Sequence, residues 1–303
     1  MDKYLLSLII PNRNCLDLLV RCLESVPRRN DIQVIVVDDA SDPQVVDFER
    51  YRSLAEEHVE IIFTTEGLGA GYARNVGLGH ARGKWLMFLD SDDFLLPSAL
   101  ELIDRYSASE SDIVYFNIKS CYSDTMLPAW RHEKFQAAFA NYTAQSGQLD
   151  KFLRYGYCEP WGKLIRRSFV TSNGFTFQES KVANDYMFSM QTGHAASKIE
   201  LCTEALLCVT VRSGSLTSDH FGSDENTMNK LQVFIGVQKF FDENRIKLEP
   251  LFRFIRGIRT KKPAMFRTAL KECAQRGYPT SVVLMRCLWG YIYSRLKHKN
   301  KFC

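Results

Sequence analysis

The run Trp85-Leu86-Met87-Phe88-Leu89 ends abruptly in Asp90-Ser91-Asp92-Asp93, and this junction constrains the fold more than any other stretch of the chain. Bulky apolar residues without a polar break describe a strand buried on both faces, as in a parallel sheet covered by helices. Such a sheet gathers ligands beyond the carboxyl ends of its strands. Carboxylates crowded there repel one another unless donors or a cation compensate, so the pattern points to a divalent metal held by hard oxygen ligands. A solvated acidic turn leading into a helix near Pro97 reads from the same residues.

Residues 5–10, 32–37 and 59–63 are further short apolar or alternating runs. Segments with helical spacing separate them: Leu16, Leu19, Val20 and Leu23, then Val45, Val46, Phe48 and Leu54, then residues 70–81. Strand and helix alternating at intervals of roughly 25 residues predict an α/β fold with a mostly parallel central sheet. Residues 112–118 read as another strand, 126–139 as an aperiodic loop or wall, and 150–155 as a helix. Residues 182–196 read as a helix containing Asp185, and 206–211 as a strand. Residues 226–241 and most of the chain after Pro250 again read as helical. The expected organisation is one domain over 1–222, with a nucleotide-binding half to about residue 120 and an acceptor half over 121–222, then a helical basic region over 223–303.

The formal net charge of +4 conceals an asymmetry. Residues 253–303 hold 13 Lys and Arg against one acid, Glu272, so this segment carries +12 and the rest of the chain −8. Residues 280–294 combine Val282, Val283, Leu284, Met285, Leu288, Trp289, Tyr291, Ile292 and Tyr293 with one charge, Arg286, and Arg295, Lys297, Lys299 and Lys301 follow. The stretch is too short and interrupted to span a bilayer. An anionic membrane surface is the expected partner of 253–303, the alternative being a helix packed on the domain with a solvated basic end. Nucleic acid is not the expected partner, because the apolar, Trp- and Tyr-bearing pattern inside the segment suits a membrane interface. The 9 cysteines lack CxxC spacing, and the first residues lack a signal-peptide pattern, so reduced thiols and a cytoplasmic location are expected.

Several pieces then fall in one order: Ser7-Leu8-Ile9-Ile10-Pro11-Asn12-Arg13-Asn14, Val34-Ile35-Val36-Val37-Asp38-Asp39-Ala40-Ser41, Gly71-Tyr72-Ala73-Arg74-Asn75-Val76-Gly77-Leu78, and Ala81-Arg82-Gly83 leading to Leu89-Asp90-Ser91-Asp92-Asp93. Over roughly residues 4–220 this resembles the family 2 glycosyltransferases of GT-A fold, the last element matching their DxD motif. The resemblance implies that Pro11 and Asn12 line the nucleotide site. It implies that Asp39, supported by Asp38, accepts a hydrogen bond from a uracil imide, and that Arg74 pairs with the diphosphate. Asp92 then coordinates Mn²⁺ or Mg²⁺ between the phosphates, Asp90 lies toward the ribose and the metal, and Asp93 supports both. Without a ligand, Asp38 and Asp39 read as a turn and helix cap, and Arg74 as a surface residue.

In the second half, Pro160-Trp161-Gly162-Lys163-Leu164 resembles the family's tryptophan-lysine-leucine segment and offers Trp161 as a sugar platform, a core tryptophan being the alternative. Asn184-Asp185-Tyr186 matches the family's Glu-Asp pair and following residues. The resemblance makes Asp185 the general base of an inverting displacement and places Asn184 and Tyr186 at the acceptor. Asn184 stands where the family usually has glutamate, which implies altered acceptor recognition. Val211-Arg212-Ser213-Gly214-Ser215-Leu216-Thr217 resembles the family's arginine and Ser-hydrophobic-Thr segment, so Arg212 contacts phosphate or orders a closing loop. His220 is a further metal or diphosphate candidate, although a lone histidine near a loop is ordinarily structural.

The expected activity is transfer of a sugar from a UDP-sugar to a lipid-linked saccharide at the cytoplasmic membrane face, in O-antigen, lipopolysaccharide or capsule assembly. A nucleotidyltransferase lacks support because Asn12-Arg13-Asn14-Cys15 is not a glycine-rich phosphate loop. The alternative from another class is a non-catalytic nucleotide-sugar-binding or membrane-scaffold protein.

Overall fold

The computed structural model describes residues 3–140, 147–212 and 221–299. Eight strands, β1 (Tyr4–Asn12), β2 (Ile32–Asp39), β3 (Val59–Thr64), β4 (Gly83–Phe88), β5 (Phe94–Leu95), β6 (Ile113–Tyr122), β7 (Lys163–Arg166) and β8 (Ile199–Val211), form one sheet in the order β3-β2-β1-β4-β7-β6-β8-β5. The first four neighbours in that order are parallel, β7 runs antiparallel between β4 and β6, β8 is parallel to β6, and β5 is antiparallel to β8. The helices on this frame are α1 (Leu16–Glu24), α2 (Phe48–Arg52), α3 (Ala70–His80), α4 (Ala99–Tyr106), α5 (Glu133–Ala140), α6 (Gly147–Tyr155), α7 (Arg167–Asn173) and α8 (Tyr186–Ala195).

The register explains why the motifs converge. Asn12 pairs with Asp38 across β1 and β2, Asp39 with Thr64 across β2 and β3, and Ile9 with Phe88 across β1 and β4. Asn12, Asp38, Asp39 and Asp90 therefore leave the sheet along one carboxyl edge, where this type of sheet places ligands. Their strands are rigid because they are apolar on both faces: every residue of β2 is buried, and Trp85 through Leu89 are wholly inaccessible. At the opposite end, Ser7 Oγ donates to Gln33 Oε1 at 2.7 Å and accepts the Gly83 N–H at 2.8 Å, which satisfies buried polar groups where three strands begin.

The structure differs from the sequence reading in four places. β1 continues past the apolar run at 5–10: Pro11 is buried and paired with Val37, while pairing with β4 stops at Ile9, ahead of the residue that lacks an N–H. The aperiodic stretch after β6 contains α5, whose Phe135 and Phe139 bury one face at an i,i+4 spacing among polar and alanine neighbours too few to show a period. The predicted strand over 206–211 is the end of the longer β8, whose first half is partly exposed on a parallel partner, β6. The helix expected over 182–196 begins only at Tyr186. Ala183 takes a left-handed conformation at φ 56°, which breaks the helix and leaves Asp185 as the residue before its first turn.

The chain divides into two compact units, Met1–Ser218 and Asp219–Cys303. The second contains α9 (Asp224–Glu243), α10 (Pro250–Lys261), α11 (Phe266–Gln275) and α12 (Thr280–Lys299). α10 buries Leu251, Phe252, Phe254, Ile255 and Ile258, and the Phe254 ring packs 4.8 Å from Phe234. Tyr278 Oη donates to Asp242 Oδ2 at 2.8 Å, joining the approach to α12 to α9. No described helix is long and apolar enough to cross a membrane.

Candidate active site

At the ends of β1 and β2, two buried side chains hold unused acceptors. Asn12 Nδ2 donates to Tyr51 Oη at 3.0 Å, leaving Oδ1 buried without a partner. Asp39 Oδ2 accepts the Gly69 N–H at 2.8 Å with the Arg13 guanidinium 3.8 Å away, and Oδ1 is likewise buried and unpaired. A buried acceptor without a donor is costly, so these two oxygens mark where a donor-bearing ligand belongs. Asp38 does different work. Its carboxylate accepts the Ser41 N–H at 2.9 Å and the Ser41 hydroxyl, holding the turn in which Ala40 lies at φ 54°.

Beyond β4, one ligand oxygen from each of Asp90, Asp92 and Asp93 lies within 4.8 Å of the others. Arg74, only 4% exposed, bridges Asp90 Oδ1 at 2.6 Å and Asn184 Oδ1 at 2.8 Å. Arg212 Nε donates to Asp92 Oδ2 at 3.0 Å. Asp93 is buried and accepts the Thr210 N–H at 2.7 Å; burial, then the charges of Asp92 and Asp90, hold its carboxyl well above the usual carboxylate range. The all-oxygen donor set of Asp90, Asp92 and Asp93 fits a hard divalent cation. Asp90 and Asp92, which are only partly buried, would hold it.

Sequence reasoning missed what fixes this loop. Arg21 Nη2 donates to the Asp92 carbonyl at 2.6 Å while Nη1 reaches the Ser123 carbonyl at 3.3 Å, and Thr210 Oγ1 donates to the same Asp92 carbonyl at 2.8 Å. Nothing local in the sequence distinguishes Arg21 from a solvated arginine on an amphipathic helix, since its partners lie far away along the chain.

The Arg74–Asn184 bond joins the acidic loop to the approach to α8. Asn184 Nδ2 donates to the Ser180 carbonyl at 3.2 Å, so both ends of its amide are engaged within the protein and an acceptor contact through it is not supported. Next to it, Asp185 makes no side-chain cap bond to α8. Burial pushes its carboxyl up to about 6, with Arg74 pulling down and Glu159 pushing up. That is the range in which a carboxylate serves as a base near neutral pH. Tyr186 opens α8 and is partly exposed. Gly71 allows the loop to sit here, because a Cβ on it would lie 2.1 Å from the Gln178 carbonyl and 2.9 Å from Asn184 Cβ. Gly71→Ala is therefore expected to destabilise the fold by about 1–3 kcal/mol or displace the 178–184 segment, measured as a lowered unfolding midpoint in urea.

Trp161 is a correction. It is 2% exposed, with its ring 5.5 Å from Phe135 and 6.0 Å from Tyr157, so its face is core rather than a sugar platform. The neighbouring Lys163 is buried as well. Its ammonium donates to the Tyr157 carbonyl at 2.8 Å and to Ser189 Oγ at 3.3 Å, tying β7 to α8, and burial lowers it to about 8. Among the described residues of this half, the exposed aromatic side chains are Tyr122, at 41%, and Trp130, at 57%. Tyr122, Ser123, Asp124, Val211 and Arg212 line a cleft of about 440 Å³ beside the Asp92–Arg212 pair. His220 and the segment 213–217 lie outside the described residues.

Residues 7–172 match the Glycosyl transferase family 2 profile. The chain belongs to that family. The poly(ribitol-phosphate) β-N-acetylglucosaminyltransferase TarS of Staphylococcus aureus is 27% identical over 231 residues, covering 73% of this chain and 38% of TarS. The succinoglycan biosynthesis protein ExoO of Rhizobium meliloti is 26% identical over 223 residues, covering 70% of this chain and 62% of ExoO. The chain thus spans less than two thirds of either relative. The crystal structure of S. aureus TarS 1–349 in complex with UDP-GlcNAc superposes with a TM-score of 0.65 at 22% identity, over 91% of this chain and 82% of that one. The mostly parallel sheet described above is that of the GT-A fold.

Proposed function

We propose that this family member is an inverting glycosyltransferase that moves a sugar from a UDP-sugar to a saccharide hydroxyl. The observation that carries the reading is the carboxyl edge of the sheet, where the acidic cluster and the unpaired Asn12 and Asp39 oxygens gather, with buried Arg74 tying Asp90 to Asn184, the neighbour of Asp185. The UDP-GlcNAc complex of the TarS relative supports the donor class. In this reading Asp39 and Asn12 accept hydrogen bonds from the nucleobase and its surroundings, Arg13 lies beside them, and Arg74 and Arg212 face the diphosphate. Asp90 and Asp92 would hold Mg²⁺ or Mn²⁺, whose positive charge would stabilise the departing nucleoside diphosphate. Asp185 takes the proton from the acceptor hydroxyl as that oxygen attacks the anomeric carbon from the side opposite the leaving group, which inverts its configuration. Asp185 must be ionised for this, so kcat/KM is expected to fall as pH drops below about 6.

The acceptor in this reading is a lipid-linked saccharide at the cytoplasmic membrane face, in assembly of a cell-surface polysaccharide such as O-antigen or capsule; the TarS and ExoO relatives and the basic C-terminal segment support it. Tyr122 and the cleft beside Arg212 are assigned to the acceptor side in place of Trp161. Asp92→Asn is expected to lower metal-dependent UDP release by about a hundredfold or more, the effect of losing several kcal/mol of charge stabilisation. Full turnover by Asp92→Asn, or turnover unaffected by EDTA, would remove the metal from the account.

A further inference from the structure

We propose that the outer face of α12 is a docking surface for an anionic lipid bilayer. The proposal deepens the membrane-side reading above and identifies the element that makes the contact.

One face of α12 is already used. Val283 is fully buried, the Arg286 guanidinium lies 4.9 Å from the Phe252 ring centroid, and Cys287 Sγ is 3.5 Å from the Phe252 carbonyl oxygen. The other face carries Leu284, Met285, Leu288 and Trp289, which are 42%, 55%, 60% and 67% exposed. Leu284 and Leu288, and Met285 and Trp289, stand four residues apart, so these side chains form one stripe along the helix. A helix packed by one face on a domain ordinarily turns charged and polar residues outward. Here the outward stripe from Leu284 to Trp289 is apolar.

Charge decides the occupant. The stripe lies within the segment 253–303, whose 13 Lys and Arg face a single acid, and Arg295, Lys297, Lys299 and Lys301 follow it in sequence. A second copy seated on the same stripe in a two-fold contact would bring two such segments together and repel. A leaflet of anionic lipids supplies both an apolar phase for the stripe and the opposite charge for its flanks. Stable interfacial binding takes two signals of this kind together, apolar insertion and electrostatic attraction.

The test is co-sedimentation of the full chain with vesicles of phosphatidylcholine alone or doped with phosphatidylglycerol, without any substrate. Binding is expected to the doped vesicles, to weaken as salt is raised, and to fall about tenfold or more in the double variant Leu288→Ser/Trp289→Ser. Trp289→Phe retains an apolar ring and is expected to keep binding. Equal binding to both vesicle types, or undiminished binding by the double variant, overturns the proposal. So does a wild-type dimer in solution that the double variant dissolves, because the stripe is then covered by a second copy. The assay involves no turnover, so its failure leaves the transferase reading standing, and failure of donor turnover leaves the surface standing.

Discussion

Asp185→Asn is expected to lower kcat for sugar transfer by about 10²–10⁴-fold while leaving the donor KM nearly unchanged, the signature of a lost general base. The substitution preserves shape and removes only the proton acceptor. It also separates activity from stability, and the sign follows from the raised carboxyl. Burial holds Asp185 at about 6 in the folded chain, above its ordinary value, so its contribution to stability is greatest when it is protonated and is lost as pH rises through about 6. A general base must be ionised, so in the proposed role the fold carries, at neutral pH and above, an uncompensated part of the charge's burial. Asp185→Asn, neutral at every pH, should therefore melt higher than wild type at pH 8 and lose that advantage toward pH 4. Such a trade of stability for a poised group is common at active sites. Full transfer by the variant would remove Asp185 as the base, and a lower melting point at pH 8 would remove the cost of burying its charge.

Arg74→Met should be the most destabilising single change in the site. The guanidinium is 4% exposed and bonded to Asp90 Oδ1 and Asn184 Oδ1, with its charge 5.4 Å from the Phe177 ring. Removing it leaves the partly buried Asp90 carboxylate and the buried Asn184 amide oxygen without their donor, which together costs about 3–5 kcal/mol. For a domain of this size that corresponds to a fall in Tm of roughly 6–20 °C. Arg74→Lys is not expected to restore it, because a single ammonium cannot reproduce the two-armed bridge. Arg74 is also the charge that pulls the Asp185 carboxyl down, so in whatever fraction of Arg74→Met folds, the acid limb of the pH–rate profile should move above about 6. Thermal unfolding and a pH profile check the two effects separately. A Tm within about 2 °C of wild type would mean that Arg74 does not hold the site together.

The parts of the fold that could be read from sequence are those in which local chemistry and tertiary context agree. The apolar runs at 34–37 and 85–89 lie in buried parallel strands because a run without polar residues has no solvent face in either orientation. Trp161 was undecidable for the opposite reason: an aromatic ring suits a core and a sugar equally, and only its packing against Phe135 and Tyr157 places it. The start of α8 was misplaced because no residue type announces that Ala183 is left-handed; the turn follows from Arg74 and Ser180 gripping the two ends of the Asn184 amide. The same contacts explain asparagine at that position. An amide both accepts from Arg74 and donates to a carbonyl, and a glutamate cannot do the second while ionised. Arg21 and Thr210 were invisible for want of any short-range signal, since they act only through the carbonyl of Asp92.

A single displacement at the anomeric carbon, assisted by Asp185, would fix the configuration of the product. It is tested most directly by supplying an α-linked UDP-sugar, a divalent cation and a saccharide acceptor, and reading the anomeric proton coupling of the product by NMR. Wild type is expected to give a β-linked product and Asp185→Asn almost none. An α-linked product, or an equal yield of β-linked product from the variant, would contradict it.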